Sequence, residues 1–264
     1  MGKWLSCKEI KCLGWSRIFQ RWRSKQKLYS CNLIVFCLKN LLPMNQQIVF
    51  AIIFLGIFLL LVTVAHVLHS FFKLSAETSR KFLHVSGGIL ALCSPLFFTS
   101  HKWILILCSL AFLLLLFTYL KSWLPAIHQT KRKSIGSVVY PISIYLCFLI
   151  AMQNHNHLLF YLPISLLTVS DTIAELGGKK WGNNSRMLMY RQKTIAGSIS
   201  FAVSALVISI GWGVVFKFPA QQIIILSITT TLIATVAEMV STKGWDNITV
   251  PMVTLVLLLV LIKG

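Results

Sequence analysis

The sequence predicts an all-α, polytopic bundle of membrane-spanning helices, and its composition and apolar runs carry that prediction. Of the 264 residues, 56% are hydrophobic and only 12% are charged, with a mean hydropathy of +0.78. A soluble domain carries about a quarter charged residues. Several apolar runs approach the roughly 20 residues that a helix needs to cross a bilayer. Backbone amides in lipid must be satisfied within their own segment, which favours helices.

Eight apolar runs are assigned as membrane spans. Because several runs are short or interrupted by polar residues, the number of spans could also be seven or nine. The first is a nearly continuous series of Ile, Leu, Phe and Val, and most of the later ones are shorter or contain polar residues. In chain order the spans are residues 48–69, 82–99, 103–120, 135–152, 158–174, 195–216, 223–240 and 248–262.

Lys and Arg are distributed unequally between the two sets of connecting loops. One set holds thirteen of them and the other set holds three. Because cytoplasmic loops are enriched in Lys and Arg, the richer set is assigned to the cytoplasm. This pattern also accounts for the basic charge between the spans without a nucleic-acid partner, which would need a basic patch on a soluble fold. The cytoplasmic loops are residues 70–81, 121–134, 175–194 and 241–247.

Residues 1–43 form a separate basic segment with nine Lys and Arg and a single acid, Glu9. With eight spans after it, this segment would begin on the non-cytoplasmic face, against the charge rule. A ninth, marginal span at about 28–42 would remove the conflict. Alternatively, Met44 is the native start and the segment is an upstream extension, or it lies along the membrane surface. The predicted division is therefore an N-terminal extension, 1–43, and a membrane domain, 44–264.

The chain contains only six carboxylates, and five of them lie at or beside the cytoplasmic ends of spans. Asp171 and Glu238 fall inside apolar runs, where a charge costs up to about 2.5–3.5 kcal/mol on insertion scales. Structural ion pairing is one explanation. Convergence on a shared site is favoured, because carboxylates among Lys and Arg suit a magnesium–phosphate complex. The five acids are Glu77, Asp171, Glu175, Glu238 and Asp246.

Helical spacing brings candidate site residues together on two spans. Arg80 and His84 are four residues apart, so they share a face, with Lys81 close to it. Asp171 and Glu175 have the same spacing, so both carboxylates can face one ion. A Gly-Gly pair and a basic loop follow Glu175.

Two further segments carry polar residues at span boundaries. Lys193-Thr194-Ile195-Ala196-Gly197-Ser198 opens a span, and a lysine, a hydroxyl and free helix amides suit a phosphate. The P-loop pattern GxxxxGK[ST] occurs nowhere in the chain. Near the C-terminus, Glu238 and the pair Asp246-Asn247 bracket a short turn between spans.

Together these segments resemble the CTP-dependent polyprenol kinase family, which includes dolichol kinase, phytol kinase and the CTP-dependent diacylglycerol kinase. The resemblance covers about residues 75–260. Its most specific parts are Asp-x-x-Ala-x-x-x-Gly-x-x-x-Gly, Lys-Thr-x-x-Gly-Ser and Glu…Gly-x-Asp-Asn-x-x-Val-Pro. In this chain they are Asp171, Ala174, Gly178 and Gly182; Lys193, Thr194, Gly197 and Ser198; and Glu238, Gly244, Asp246, Asn247, Val250 and Pro251. The run Arg80-Lys81-x-x-His84-x-x-x-Gly88 is similar to an earlier motif of the family.

The resemblance implies an integral membrane enzyme that phosphorylates a lipid alcohol, such as phytol or a polyprenol, from CTP and Mg²⁺ at the cytoplasmic face. Residue chemistry and the resemblance assign the roles. The expected catalytic residues are Asp171, Lys193, Glu238 and Asp246. The expected Mg²⁺ ligands are Asp171, Glu175 and Asp246. The expected nucleotide-binding residues are Arg80, Lys81, His84, Gly178, Gly182, Thr194, Gly197, Ser198 and Asn247.

Two other functions remain as alternatives. Phosphatidate cytidylyltransferases are relatives of this family, but their signature continues Lys-Thr-x-Glu-Gly, and Ala196 stands where that Glu would be. A lipid transporter would place charged residues in mid-bilayer on several helices, whereas the acids here lie at one face. Both differences favour the kinase.

Overall fold

The computed structural model describes residues 44–121, 135–182, 187–188, 193–242 and 244–263. Residues 1–43, with the predicted extension and the marginal span at 28–42, lie outside the described residues. Within them the all-α prediction is confirmed, since nearly every residue is helical. A short hairpin of two strands, β1 (Met187–Leu188) and β2 (Lys193–Thr194), is the described exception.

Eight helical rods run through the described chain and match the eight predicted spans. Six of them are long and apolar enough to cross a membrane. The fifth rod consists of two α-helices joined by a π-helical turn, Leu166–Ser170. In order, the helices are α1 Met44–Ser70, α2 Ala76–Phe97, α3 His101–Lys121, α4 Gly136–Gln153, α5 Leu158–Ser165, α6 Asp171–Trp181, α7 Ile195–Val215, α8 Ala220–Val240 and α9 Asp246–Lys263.

Two helix boundaries differ from the predicted ones in an informative way. Helix α2 begins six residues before the predicted span, because Ser75 caps it by accepting from the Thr78 amide at 3.2 Å. The fifth rod continues seven residues past the predicted end at 174, to Trp181. Both helices therefore extend beyond their apolar runs at the same end of the bundle, where they carry charged residues out of the apolar layer.

The fifth rod is the centre of the bundle. In the most apolar stretch of this rod 67% of the residues are buried, whereas 17% are buried in the corresponding stretches of α1 and α3. Leu158, Leu159, Phe160 and Leu162 are fully buried although they point in different directions around the helix. The rod therefore has protein on every side, and α6, with its acids, continues directly from this central position.

At the opposite end from the acids, four phenylalanines join α1 to the end of α2. The Phe54 ring packs edge-on against Phe97 and Phe98, with centroids 5.5 Å and 5.1 Å apart. Phe50 contacts Phe97 in the same way at 5.1 Å. The Gln47 amide donates to the Thr99 hydroxyl beside them. These contacts form the phenylalanine cluster (Phe50, Phe54, Phe97 and Phe98), which closes this end between the two helices.

Candidate active site

The first turns of α2 face α6, and Lys81 connects them. Its ammonium group donates to Asp171 Oδ2 at 2.7 Å and lies 2.9 Å from Glu175 Oε2. Arg80 Nη2 lies 3.7 Å from the same Glu175 oxygen. The two carboxylates thus share a face, as their spacing predicts, and in this structure the cation between them is a lysine.

A second ion pair lies at the outer side of this group. Lys179 lies 2.7 Å from Glu175 Oε1 and 3.2 Å from Glu77 Oε2. Half of the Lys179 side chain is exposed, so solvent screening leaves this pair little energy. Glu175 therefore contacts three cationic side chains, whereas Asp171 lies deeper.

His84 lies below Lys81 and has contacts that the sequence did not suggest. Its Nε2 is 3.0 Å from the Leu167 carbonyl oxygen and 3.9 Å from Asp171 Oδ2. The imidazole packs on the Tyr140 ring at 4.5 Å with 30° between the planes. The Leu167 carbonyl belongs to the π-helical turn, where the backbone register changes. Such turns occur frequently at functional sites.

Tyr140 is a site residue that sequence reasoning missed. Its hydroxyl is 2.9 Å from the Thr168 hydroxyl in the π-helical turn. A Cβ at Gly88 would lie 2.2 Å from that Thr168 oxygen and 2.4 Å from the Tyr140 hydroxyl. Gly88 therefore permits the contact between α2, α4 and the central rod. A tyrosine before a proline in an apolar run was the only available signal, and it is a weak one.

Lys193 organises a second charged group, formed by the start of α7, the end of α8 and the start of α9. Its ammonium donates to Glu238 Oε1 at 2.5 Å, to the Glu238 carbonyl at 2.7 Å and to Asp246 Oδ2 at 3.2 Å. The Ser198 hydroxyl donates to Glu238 Oε2 at 3.3 Å. Burial alone would lower the pKa of Lys193, but the charges of Asp246 and Glu238 outweigh it and hold the pKa above its ordinary value. Lys193 is therefore a cation at neutral pH.

The glycines of the predicted phosphate seat bring α6 and α7 together. A Cβ on Gly178 would lie 2.9 Å from Thr194 Oγ1, and one on Gly197 would lie 3.0 Å from the Ala174 carbonyl. Thr194 caps α7 by accepting from the Gly197 amide at 3.1 Å. Gly178, Gly197 and Thr194 also line the cavity described below, whereas Gly182 does not. Gly182 packs instead against the Thr194 methyl group.

Asn247 supports the turn before α9. Its main-chain N–H donates to Asp246 Oδ1 at 3.1 Å, and its main-chain carbonyl accepts from the Ser143 hydroxyl on α4. Gly244 has a φ of 89°, in the left-handed region that glycine tolerates best. A Cβ on Gly136 of α4 would press on both Asn247 and Gly244. The turn that carries Asp246 is therefore held directly against α4.

The two charged groups line one cavity of about 710 Å³. Asp171 interacts electrostatically with both Lys193 and Asp246, which places the two groups within range of each other. All five of these acids line the cavity, together with Lys81 and Lys193. We call the joined set the charged cluster; its members are Arg80, Lys81, His84, Asp171, Glu175, Lys193, Glu238 and Asp246.

Three polar atoms of the cavity wall are buried without a hydrogen-bond partner within the described part of the chain: Arg80 Nε, Ser94 Oγ and Ser137 Oγ. Buried polar groups are normally satisfied, so each of these atoms has an unused capacity to contact a ligand. No three His, Cys, Asp or Glu side chains of the described ranges are grouped as a metal cage. Mg²⁺ does not require one, because it commonly binds one or two carboxylates together with substrate phosphates.

Comparison with known proteins yields one relative. The chain is similar to a phytol kinase from Synechocystis sp., with 24% identity over 181 residues, which cover 67% of this chain and 76% of that protein. This weak homology supports the relationship to the polyprenol and phytol kinase family that the motifs predict. No protein-family model and no solved structure matches the chain.

Proposed function

We propose that the protein is a lipid-alcohol kinase that transfers the γ-phosphoryl group of CTP to the hydroxyl of an alcohol dissolved in the membrane. The observation that carries the proposal is the composition of the cavity. One end holds the charged cluster, and the wall continues along α1, α2, α3 and α4 with apolar side chains such as Phe58, Leu90 and Leu107. A lipid alcohol has the matching polarity, with a polar head and an apolar chain.

The kinase class also agrees with the relative, which is named a phytol kinase. CTP as the phosphoryl donor rests on the motif resemblance. The cytoplasmic location of the site rests on the distribution of Lys and Arg between the loops, because the charged cluster lies at the basic end of the bundle.

Phosphoryl transfer depends on positioning and charge neutralisation more than on covalent chemistry by the protein. The alcohol oxygen forms a bond to the γ-phosphorus while the bond from that phosphorus to the β–γ bridging oxygen breaks, and CDP leaves. In the proposed mechanism Arg80, Lys81 and Lys193 neutralise phosphate oxygens. The unpartnered Arg80 Nε and Ser137 hydroxyl supply further donors.

The alcohol proton passes to a carboxylate, for which Glu238 and Asp246 are the candidates. Both carboxylates accept from Lys193. A base must lie within hydrogen-bond reach of the proton that it removes, and both side chains line the cavity. Binding of phosphates to Lys193 would release these carboxylates from their present partner.

Asp171 and Asp246 are the proposed ligands of Mg²⁺, with Glu175 as a third candidate. Their oxygen donors are of the kind that Mg²⁺ prefers, and two carboxylates plus phosphate oxygens make a normal magnesium site. The bound ion would offset negative charge on the phosphates. Lys81 lies between Asp171 and Glu175, so a cationic group already balances the charge of these two carboxylates.

The decisive experiment follows the α- and the γ-phosphate of the nucleotide separately. Purified full-length protein is supplied with geranylgeraniol, Mg²⁺ and CTP labelled at the α- or the γ-phosphate. Transfer of γ-label to lipid with release of CDP supports the kinase. Release of pyrophosphate with α-label in lipid would establish nucleotidyl transfer instead, and no nucleotide turnover with any lipid alcohol would refute the proposal. ATP in place of CTP, and chelation of Mg²⁺, are the controls.

A further inference from the structure

The apolar part of the cavity extends along α2 and reaches the phenylalanine cluster. On α2, cavity-lining residues occur from Lys81 at the charged cluster to Ser94 near the far end of the helix. At 1.5 Å per residue this distance is about 20 Å. Phe54 lines the cavity from α1, and its ring is held by Phe97 and Phe98 in the phenylalanine cluster. Phe97 and Phe98 do not line the cavity, so we take the Phe54 ring as its floor.

That length can be compared with the length of an isoprenoid chain. An extended polypeptide advances about 3.5 Å over three main-chain bonds. By the same geometry an isoprene unit, with four such bonds, advances about 4.5–5 Å. A depth of about 20 Å then holds about four units. A chain of eleven units would extend about 50 Å, which exceeds even the roughly 30 Å hydrocarbon core of a bilayer.

We propose that this part of the cavity is a chain-length gauge, which holds one hydrocarbon chain of about four isoprene units and ends at Phe54. The inference rests on the proposed function for the identity of the head group, and it deepens that function by selecting a short single-chain alcohol as the substrate class. The total cavity volume of about 710 Å³ agrees with a single chain, because part of it must also accommodate phosphates at the charged cluster.

Gly87 offers a way to obstruct the gauge without disturbing the packing. It lies on α2 between His84 and Ser94 and lines the cavity, and a Cβ placed on it would meet nothing within 4 Å. Gly56 on α1 also has open space around its Cβ position, but it is not a cavity residue. Gly87→Leu and Gly56→Leu therefore form a matched pair: the same side chain is added in the same kind of space, inside and outside the cavity.

The test is retention of alcohols by the purified full-length protein in detergent, without nucleotide. A mixture of farnesol (three units), geranylgeraniol (four units) and undecaprenol (eleven units) is added, and the bound alcohol is quantified by mass spectrometry after gel filtration. We expect the unaltered protein to retain geranylgeraniol at least tenfold more than undecaprenol. Gly87→Leu should reduce that retention about tenfold, and Gly56→Leu should not change it. Equal retention of the four- and eleven-unit alcohols, or equal effects of the two variants, would overturn the gauge.

Removing the side chain at the end of the cavity should shift the selection toward longer alcohols. Phe54→Ala removes the ring that ends the cavity but leaves Phe97 and Phe98 in place. The preferred alcohol should therefore lengthen by about one unit, from four toward five, measured with geranylfarnesol in the same assay. If Phe54→Ala fails to fold, the glycine pair decides alone. Because retention is measured without CTP, selective binding with no phosphoryl transfer would refute the kinase and leave the gauge standing. Phosphoryl transfer to alcohols of all chain lengths at equal rates would refute the gauge and leave the kinase standing.

Discussion

Lys81 and Lys193 each hold two acids from different parts of the chain. Lys81 joins α2 to Asp171 and Glu175, and Lys193 joins the start of α7 to Glu238 and Asp246. Removing charges from water costs several kcal/mol per ion, which a single well-made pair barely offsets. Counting Lys and Arg as the cations, the charged cluster has three cations for four carboxylates. The remaining negative charge can be neutralised by a divalent ion. The same lysines are the groups that incoming phosphates would attract.

Replacing Lys193 tests whether it does more than hold the bundle together. Lys193→Met should reduce lipid phosphorylation by about 10²–10³-fold, the usual effect of losing one electrostatic contact to a transition state. It should also lower the melting temperature, because Glu238 stays buried without its cation. Lys180→Met is the matched control, since Lys180 is exposed. A Lys193→Met protein that melts early but turns over normally would reduce Lys193 to a structural role.

Asp171 and Glu175 can be separated by paired amide substitutions. Asp171→Asn should abolish activity at every Mg²⁺ concentration, because a proposed ligand of the ion is lost. Glu175→Gln should retain measurable activity with a higher Mg²⁺ requirement, since Glu175 already contacts Lys81, Arg80 and Lys179. Activity is measured across a Mg²⁺ titration with circular dichroism as the folding control. Normal turnover by Asp171→Asn would contradict the metal role.

At the scale of elements, the site depends on the close approach of α6 and α7. Gly177 is buried on α6, and a Cβ there would lie 2.0 Å from Ser200 Oγ and 2.7 Å from Ser200 Cβ. Small residues allow membrane helices to pack closely. This packing sets the distance between Asp171, at the start of α6, and Lys193, just before α7. Helix geometry in this pair therefore determines whether the two charged groups form one site.

Gly177→Ala should destabilise the protein by about 1–3 kcal/mol, the usual cost of an overpacked contact, although alanine is the better helix former. The change is measured as a fall in melting temperature in detergent. Ser200→Gly should restore most of the loss when combined with Gly177→Ala, because it removes both atoms that the new methyl group meets. Gly211→Ala, with open space around its Cβ position, should not destabilise. Additive effects of Gly177→Ala and Ser200→Gly would show that the two residues are not in contact.

At the scale of the whole molecule, the two ends of the bundle differ strongly in charge. The charged cluster lies at the end that carries most of the loop Lys and Arg, and the opposite end is closed by the phenylalanine cluster. In the proposed function the nucleotide binds at the charged cluster, and the lipid chain occupies the apolar part of the cavity. This arrangement predicts a single orientation in the membrane.

Cysteine labelling tests that orientation. Single cysteines are placed at Lys180, exposed at the charged end, and at Asn154, exposed in the turn after α4 at the other end, in a background without other cysteines. In sealed inside-out vesicles a membrane-impermeant maleimide should label Lys180→Cys and not Asn154→Cys, because Lys-rich and Arg-rich loops stay cytoplasmic. Right-side-out vesicles should show the reverse. Labelling of Asn154→Cys in the inside-out preparation would place the charged cluster outside the cytoplasm.

The amino-acid sequence by itself determined the eight helical rods and the gathering of the acids at one end, because hydropathy and charge are properties of each segment alone. It also indicated that Asp171 and Glu175 share a face, since helical periodicity is local. Only the tertiary structure decided that Lys81 lies between them, that Tyr140 supports His84, and that the cavity ends on Phe54. Those relations join residues from helices far apart in the chain, and side-chain packing between helices sets them.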